Sequence, residues 1–482
     1  LNATNIANQV KDFVLSKQLM FSKLVGIGTD GAPVMTGKHN GAVKQIIDFQ
    51  KEAQTNSDPG RKCEAVGVHC AAHRLSLAAS QAGDGVPCIK KFKDHLRKLY
   101  DFLDNSSVRT AGLRAVQELL DNPKLKLLQP SSTRWLSVGN AVKRLKEIFA
   151  SVVVSLEREA EERDDVTAAG LHHVMTEYKF VATMLLLCDV LPTVNRLSLL
   201  FQAQWIDFSS LSKHIQSAVT KLDRLNTVDG VHLKAIGEYV HQLSQSGVEI
   251  RKVDKRGDTL DHHEVFRRSV QLPFLTQLVT NINSRFKDGD VIFPLLSVLD
   301  PKNLPNAENL QDQAMNPKNP CDDESDDPAT TDHTNIQGTT VTSLQEYGNE
   351  SIKTICARFG IEIEPTVEEW GDFKQFFSDH QRNLKLREVT HLLCSNETQR
   401  RLYPRLSKLA QICCVIPLHT ADCERDFSQL HFVKTPLRNR MNERTLHSII
   451  RIVVEGPPIK EFPFTEAVRL WAQRKKRRLK TV

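Results

Sequence analysis

The period of the apolar positions changes several times along this chain, and each change marks a candidate element. Ile6, Val10, Phe13 and Val14 recur at helical spacing across residues 1–20. Leu24 to Gly28 is a short apolar run that stops at Thr29-Asp30-Gly31, the pattern of a buried strand ending in a turn. Helical spacing returns over residues 42–53, a second short strand is expected over 65–69, and two more helices over 71–82 and 89–103. Strands alternating with helices through the first 140 residues predict an α/β core.

After Trp135 the strand signal fades. Val142, Leu145, Ile148, Phe149 and Val152 share one helical face, and the helix then turns acidic from Glu157 to Asp165 as a solvated end. Long periodic runs over 168–203, 211–225 and 231–246 predict an all-helical unit. Residues 303–338 break the pattern. Rich in Asn, Pro and Asp, with Asp322-Asp323-Glu324 and Asp326-Asp327, they hold too little apolar surface to offset their ordering entropy and are expected to form an acidic disordered linker. Helices are expected again over 343–359, 368–383 and 402–414, and Leu446, Ile449, Ile450 and Val453 form a last apolar stripe.

Composition narrows the class. The chain has 482 residues, 40% apolar and 25% charged, and no run of eighteen apolar residues, so no membrane partner is expected. Its ten cysteines follow no regular framework and suit a reducing compartment. The net charge of +6 is concentrated at the end: Arg474-Lys475-Lys476-Arg477-Arg478-Leu479-Lys480 holds six basic residues, and the rest of the chain is neutral overall. Lys475, Lys476, Arg477 and Arg478 therefore read as a nuclear-import signal or a phosphate-contacting tail, against the alternative of a solvated helix end.

Candidate chemistry starts with two carboxylates. Asp30 stands at a predicted strand tip, and Glu424 stands where a loop opens an amphipathic helix. Hard divalent cations that serve phosphoryl transfer take such oxygen ligands. The alternatives are a turn Asp capping local amides and a solvated Glu near a helix start. Cys63, Cys70, His73 and Cys88 tempt one towards zinc, but their spacing fits no standard structural site. Trp135 follows Arg134, a pairing that suits either base stacking with a phosphate contact or a core aromatic beside a surface cation.

Four blocks in order give these residues a context: Gly28-Thr29-Asp30-Gly31-Ala32 with Met35-Thr36-Gly37; Cys70-Ala71-Ala72-His73-Arg74-Leu75; Ser132-Thr133-Arg134-Trp135-Leu136-Ser137; and Cys423-Glu424-Arg425-Asp426-Phe427-Ser428 followed by Arg438-Asn439-Arg440-Met441. Together they resemble the hAT superfamily of DNA transposases, from about residue 20 to 455. The resemblance implies an RNase H-like core interrupted by a large all-α insertion, with a helical C-terminal dimerisation region. In those terms residues 1–148 are the first part of the core, 149–302 the helical insertion, 303–338 the acidic linker and 339–400 the insertion continued. Residues 401–460 then complete the core as the dimerisation region, and 461–482 form the basic tail.

The resemblance also implies roles. In such transposases two Asp and one Glu hold Mg²⁺ or Mn²⁺ for hydrolysis and strand transfer on DNA; Asp30 matches the second Asp and Glu424 the Glu. The first Asp belongs upstream, where only Asp12 stands on a helical pattern, so it and an amino-terminal zinc-finger domain are expected to be missing from this chain. Trp135 matches a residue that stacks on a flipped base, with Arg134 as its phosphate contact. His73 matches a C-x-x-H histidine near the active site that meets DNA or orders the metal's surroundings. The expected protein is nuclear, binds transposon-end DNA and forms a homodimer or higher homo-oligomer. The alternative is a domesticated, catalytically inactive dimerising DNA-binding or scaffold protein. Asp422 and Cys423 depart from the small or hydroxyl residues common before the Glu.

Overall fold

The computed structural model describes residues 2–57, 63–130, 135–203, 208–252, 261–287, 292–305, 344–380 and 383–474. Arg134, Lys475, Lys476, Arg477, Arg478 and the linker from residue 306 onward lie outside them. The chain divides into two compact units, Leu1–His419 and Thr420–Val482.

The first unit opens with a helix–strand alternation. Helix α1 (Ala3–Ser16) is capped by the Asn2 side chain, which accepts from the Asn5 N–H at 2.8 Å. Strand β1 (Gly26–Thr29) is followed by a short helical turn (Pro33–Thr36), helix α2 (Ala42–Ser57) and strand β2 (Val66–His69). β1 and β2 pair in parallel with Gly26 opposite Val66 and Thr29 opposite His69, and a parallel pair needs such a crossover. Val66 and Val68 bury on one face. On the other, Gly67 lies so close to Val43 of α2 that a Cβ there would meet its methyl at 2.7 Å.

Among the described residues this two-stranded sheet is the only one. The α/β expectation thus holds for the opening stretch alone, and the molecule is mostly helical. A first large core joins α3 (Ala71–Gly85), α4 (Pro87–Asp104), α5 (Ser107–Leu119), α6 (Trp135–Glu147), α7 (Phe149–Arg163), α8 (Val166–Met175), α9 (Tyr178–Phe201), α10 (Phe208–Thr227) and α11 (Leu272–Lys287). By length and composition α9 alone among the described helices could cross a membrane, yet Val181, Met184, Leu187 and Val190 lie at the centre of this core.

Two expected helices are broken. The run over 168–203 stops at Thr176-Glu177, where the backbone turns outward to Arg251: the Arg251 N–H donates to the Thr176 carbonyl at 2.7 Å and the Tyr178 N–H to the Arg251 carbonyl at 2.9 Å. The run over 231–246 splits at Ala235 into Val231–Lys234 and Ile236–Gln245.

A second core brings the far end of the unit back to the sheet. It holds α12 (Asn349–Phe359), α13 (Ile363–His380), α14 (Leu386–Ser395) and α15 (Pro404–Val415), together with Val66 and Val68. The segment after α15 reaches the strands directly. Pro417 and Ile416 lie against Gly26, where a Cβ would approach the Pro417 ring at 3.0 Å, and the Ala71 N–H donates to the Leu418 carbonyl at 3.3 Å. Segments separated by more than 300 positions thus pack together at the sheet.

The second unit contains α16 (Ala421–Val433), α17 (Glu443–Glu455) and α18 (Phe464–Gln473). Of its described apolar side chains only Ala421 and Val433 are buried.

Candidate functional site

Parallel strands that end together leave a crevice at their carboxyl ends, where α/β folds gather polar groups. Here that end carries Asp30, the next residue after β1, beside His69 and Cys70 at the end of β2. The Cys70 N–H donates to the Thr29 carbonyl at 2.8 Å, which fixes the two ends in register.

Asp30 is exposed. Its Oδ1 accepts from the Ala32 N–H at 3.0 Å, the Asx turn expected of an Asp before Gly, and this bond aims the carboxylate along the strand end. Gly31 turns with φ +76°, a left-handed conformation that disfavours side chains, and any Cβ there would lie 2.2 Å from His69 Nε2. The turn is closed by the Thr36 hydroxyl, which donates to the Gly31 carbonyl at 3.1 Å.

His69 is the site residue that the sequence reading missed. It is hydrogen-bonded to the Asp30 backbone, while its Nε2 is buried without a hydrogen-bond partner. Burial pushes its pKa below the ordinary histidine value, and the positive charge of Arg74 pushes the same way, so the ring is neutral at neutral pH. His73, in the first turn of α3, stands with its ring 5.9 Å from that of His69. Arg74 is almost fully buried: its Nη1 donates to the Arg285 carbonyl at 3.3 Å and its guanidinium lies over Phe286 at 5.2 Å. Arg285 in turn donates to Gln81 Oε1 at 3.1 Å. The strand end therefore holds one exposed carboxylate beside His69, whose own electrostatic neighbours are Arg74, His73 and Arg285. A polar residue closing an otherwise apolar strand was the available signal for His69; nothing local announces Arg285.

Trp135 opens α6 and is 5% exposed. Its indole N–H donates to Ser80 Oγ at 3.0 Å, its ring lies against Gly83, and Lys93 Nζ sits 4.9 Å from the ring centroid. In this arrangement Trp135 packs α6 onto α3, and its ring is not presented for stacking. Cys63, Cys70 and Cys88 are in no disulfide, and no cluster of three or more His, Cys, Asp or Glu suited to a metal occurs among the described residues.

Glu424 belongs to the second unit, half-buried in the first turn of α16 with Asp422. Carboxylates there complement the positive helix end. Asp422 accepts from Arg425. Asp30 and Glu424 thus each have a defined local setting, one in each unit.

Asp30 is an exposed carboxylate whose Oδ1 accepts from the Ala32 N–H, an oxygen donor of the kind hard cations take. Residues 372–452, which run from within α13 into α17, match the hAT family C-terminal dimerisation region.

Proposed function

The chain is a hAT-family, transposase-derived protein carrying that family's dimerisation region, and from this premise we propose that it acts on DNA as a homo-oligomer with a split, RNase H-like metal site. The observation that supports the reading is the strand end: a parallel β1–α2–β2 unit presents Asp30 as an exposed carboxylate at the tip of β1.

Asp30 and Glu424 would hold Mg²⁺ or Mn²⁺, which when bound activates an attacking water or hydroxyl and stabilises a leaving oxygen of a phosphodiester. The chain's own residues supply the rest. The Ala32 amide orients Asp30, and His69 buttresses the Gly31 turn that carries it. The positive charge of Arg74 and Arg285 beside the site favours a phosphate backbone. His73, in the first turn of α3, would donate to a phosphate oxygen. Arg134, just before the packed Trp135, would add a phosphate contact, and Lys475, Lys476, Arg477 and Arg478 would serve nuclear import. Base stacking by Trp135 would require its release from Ser80 and Gly83.

A second reading is a dimerising DNA-binding protein that no longer cuts, for which the matched dimerisation region would be the working part. The test is cleavage of flanked inverted-repeat DNA in Mg²⁺, comparing the chain in its full natural context with Asp30→Asn and Glu424→Gln. Hairpin or nicked products lost at least 100-fold in both variants support the metal site. Binding and dimerisation without products move the assignment to the second reading.

A further inference from the structure

Three thiols that the strand-end site does not use gather in the second core. Helices α14 and α15 pack side by side there, with Leu393, Leu406, Leu409 and Ala410 buried in the cluster that holds both. Cys394 is the last but one residue of α14, and Cys414 the last but one of α15. Their thiols are hydrogen-bonded to each other. Twenty positions of chain, including the short helix Glu397–Leu402, separate the two, so the fold makes the pair.

The two thiols differ in access. Cys414 is exposed, Cys394 is half-buried against the core, and the adjoining Cys413 is buried. Burial pushes the Cys394 thiol above the ordinary cysteine value, and the neighbouring Cys414 pushes the same way, while the positive charge of Arg400 opposes them. Burial pushes Cys413 up as well. Cys394 therefore keeps its proton at neutral pH, and Cys414 is the thiol that reagents from solvent reach first.

We propose that Cys394 and Cys414 are a redox-modified pair: a hydroperoxide oxidises the exposed Cys414, and Cys394 then closes an intrachain disulfide that staples the end of α14 to the end of α15. In the first step the Cys414 thiolate attacks the peroxide; an S–O bond forms, the O–O bond breaks, and hydroxide leaves and is protonated to water. In the second the Cys394 sulfur attacks the Cys414 sulfenic acid; the S–S bond forms, the S–O bond breaks, and hydroxide leaves with the Cys394 proton as water. Two thiols have then lost two electrons, and the peroxide has taken them. Exchange with a dithiol reductant reverses the change, so in a reducing compartment the pair rests as thiols. Helix α15 is followed directly by Ile416 and Pro417, which lie against Gly26 of β1, so the staple stiffens the helix that brings the chain back to the sheet. Both cysteines lie within the matched residues 372–452, but the inference depends on neither the dimerisation nor the DNA reading.

The test treats the reduced 482-residue chain with stoichiometric hydrogen peroxide and maps its peptides by mass spectrometry without reductant. A Cys394–Cys414 cross-link within one chain is expected, absent from Cys414→Ser. In Cys394→Ser, dimedone is expected to capture about tenfold more sulfenic acid at Cys414 than in wild type, because nothing resolves it. The urea midpoint of the first unit is expected to rise on oxidation and to return with dithiothreitol; a midpoint that falls overturns the staple as a native-state bond. Phenylarsine oxide, which bridges paired thiols, reads the proximity without oxidation: retention by Cys394→Ser equal to that of wild type overturns the pairing. A cross-link between chains through Cys414 or Cys423 overturns the proposal in favour of an intermolecular disulfide. Cys414 carried on to sulfinic acid in wild type, with no disulfide, overturns it outright.

Discussion

At the scale of single residues, the candidate site rests on a contact between a glycine and a histidine. Gly31 holds φ +76°, and His69 Nε2 occupies the space a side chain would need. Gly31→Ala therefore carries two separable costs, the left-handed backbone at about 1–2 kcal/mol and the displacement of His69. Urea denaturation is expected to show a loss of at least about 1 kcal/mol for Gly31→Ala. His69→Ala in the same chain should return the steric part but not the backbone part. A double-variant cycle with no coupling would show that the ring does not support the turn. Asp30, Glu424 and His73 were legible as residues because their local sequences are distinctive. His69 was not legible as a neighbour of Asp30, nor Arg74 and Arg285 as neighbours of His69, because a ring filling the space over a glycine and an arginine more than 200 positions from Arg74 are facts of packing.

At the scale of elements, the strands and the strongly amphipathic helices could be read from apolar spacing. β1 and β2 fell within two residues of their expected positions, and α4, with Ile89, Phe92, Leu96 and Leu99 buried, could not be missed. Helix α5 was missed because its stripe is thin: Leu113 and Val116 are buried, but Val108 and Leu119 are exposed. The break between α8 and α9 was hidden because apolar residues continue across it and a distant backbone, at Arg251, makes the cut. Helix α15 illustrates a further element-scale device. Its start is capped from another helix: Glu369 Oε2 accepts from the Arg405 and Leu406 N–H groups, both at 2.9 Å, and Oε1 from Arg405 Nη1 at 3.2 Å. Three donors meet one nearly buried carboxylate at a positive helix end. Glu369→Ala should destabilise the first unit by about 2 kcal/mol in urea denaturation, and Glu369→Gln by less. Equal stability of all three would mean that water satisfies this helix end as well as the carboxylate does.

At the scale of the molecule, the two units differ in what holds them together. The first has three apolar clusters, two of them large, and carries its stability within one chain. The second buries only Ala421 and Val433 among its described apolar residues and leaves Phe427, Phe432, Leu437 and most of α17 and α18 in contact with water. A unit that small, with so little core, is expected to gain stability through association. Hydrogen exchange should therefore separate them. Amides of α3 and α9 are expected to exchange at rates independent of protein concentration. Amides of α16 and α17 should gain protection as concentration rises through the dimer dissociation constant, by about threefold for each tenfold rise above it, because the monomer fraction falls as the square root of concentration. Protection of α16 and α17 that is high and constant in a demonstrably monomeric sample would show that the second unit folds by itself, and association would then no longer account for its exposed apolar faces.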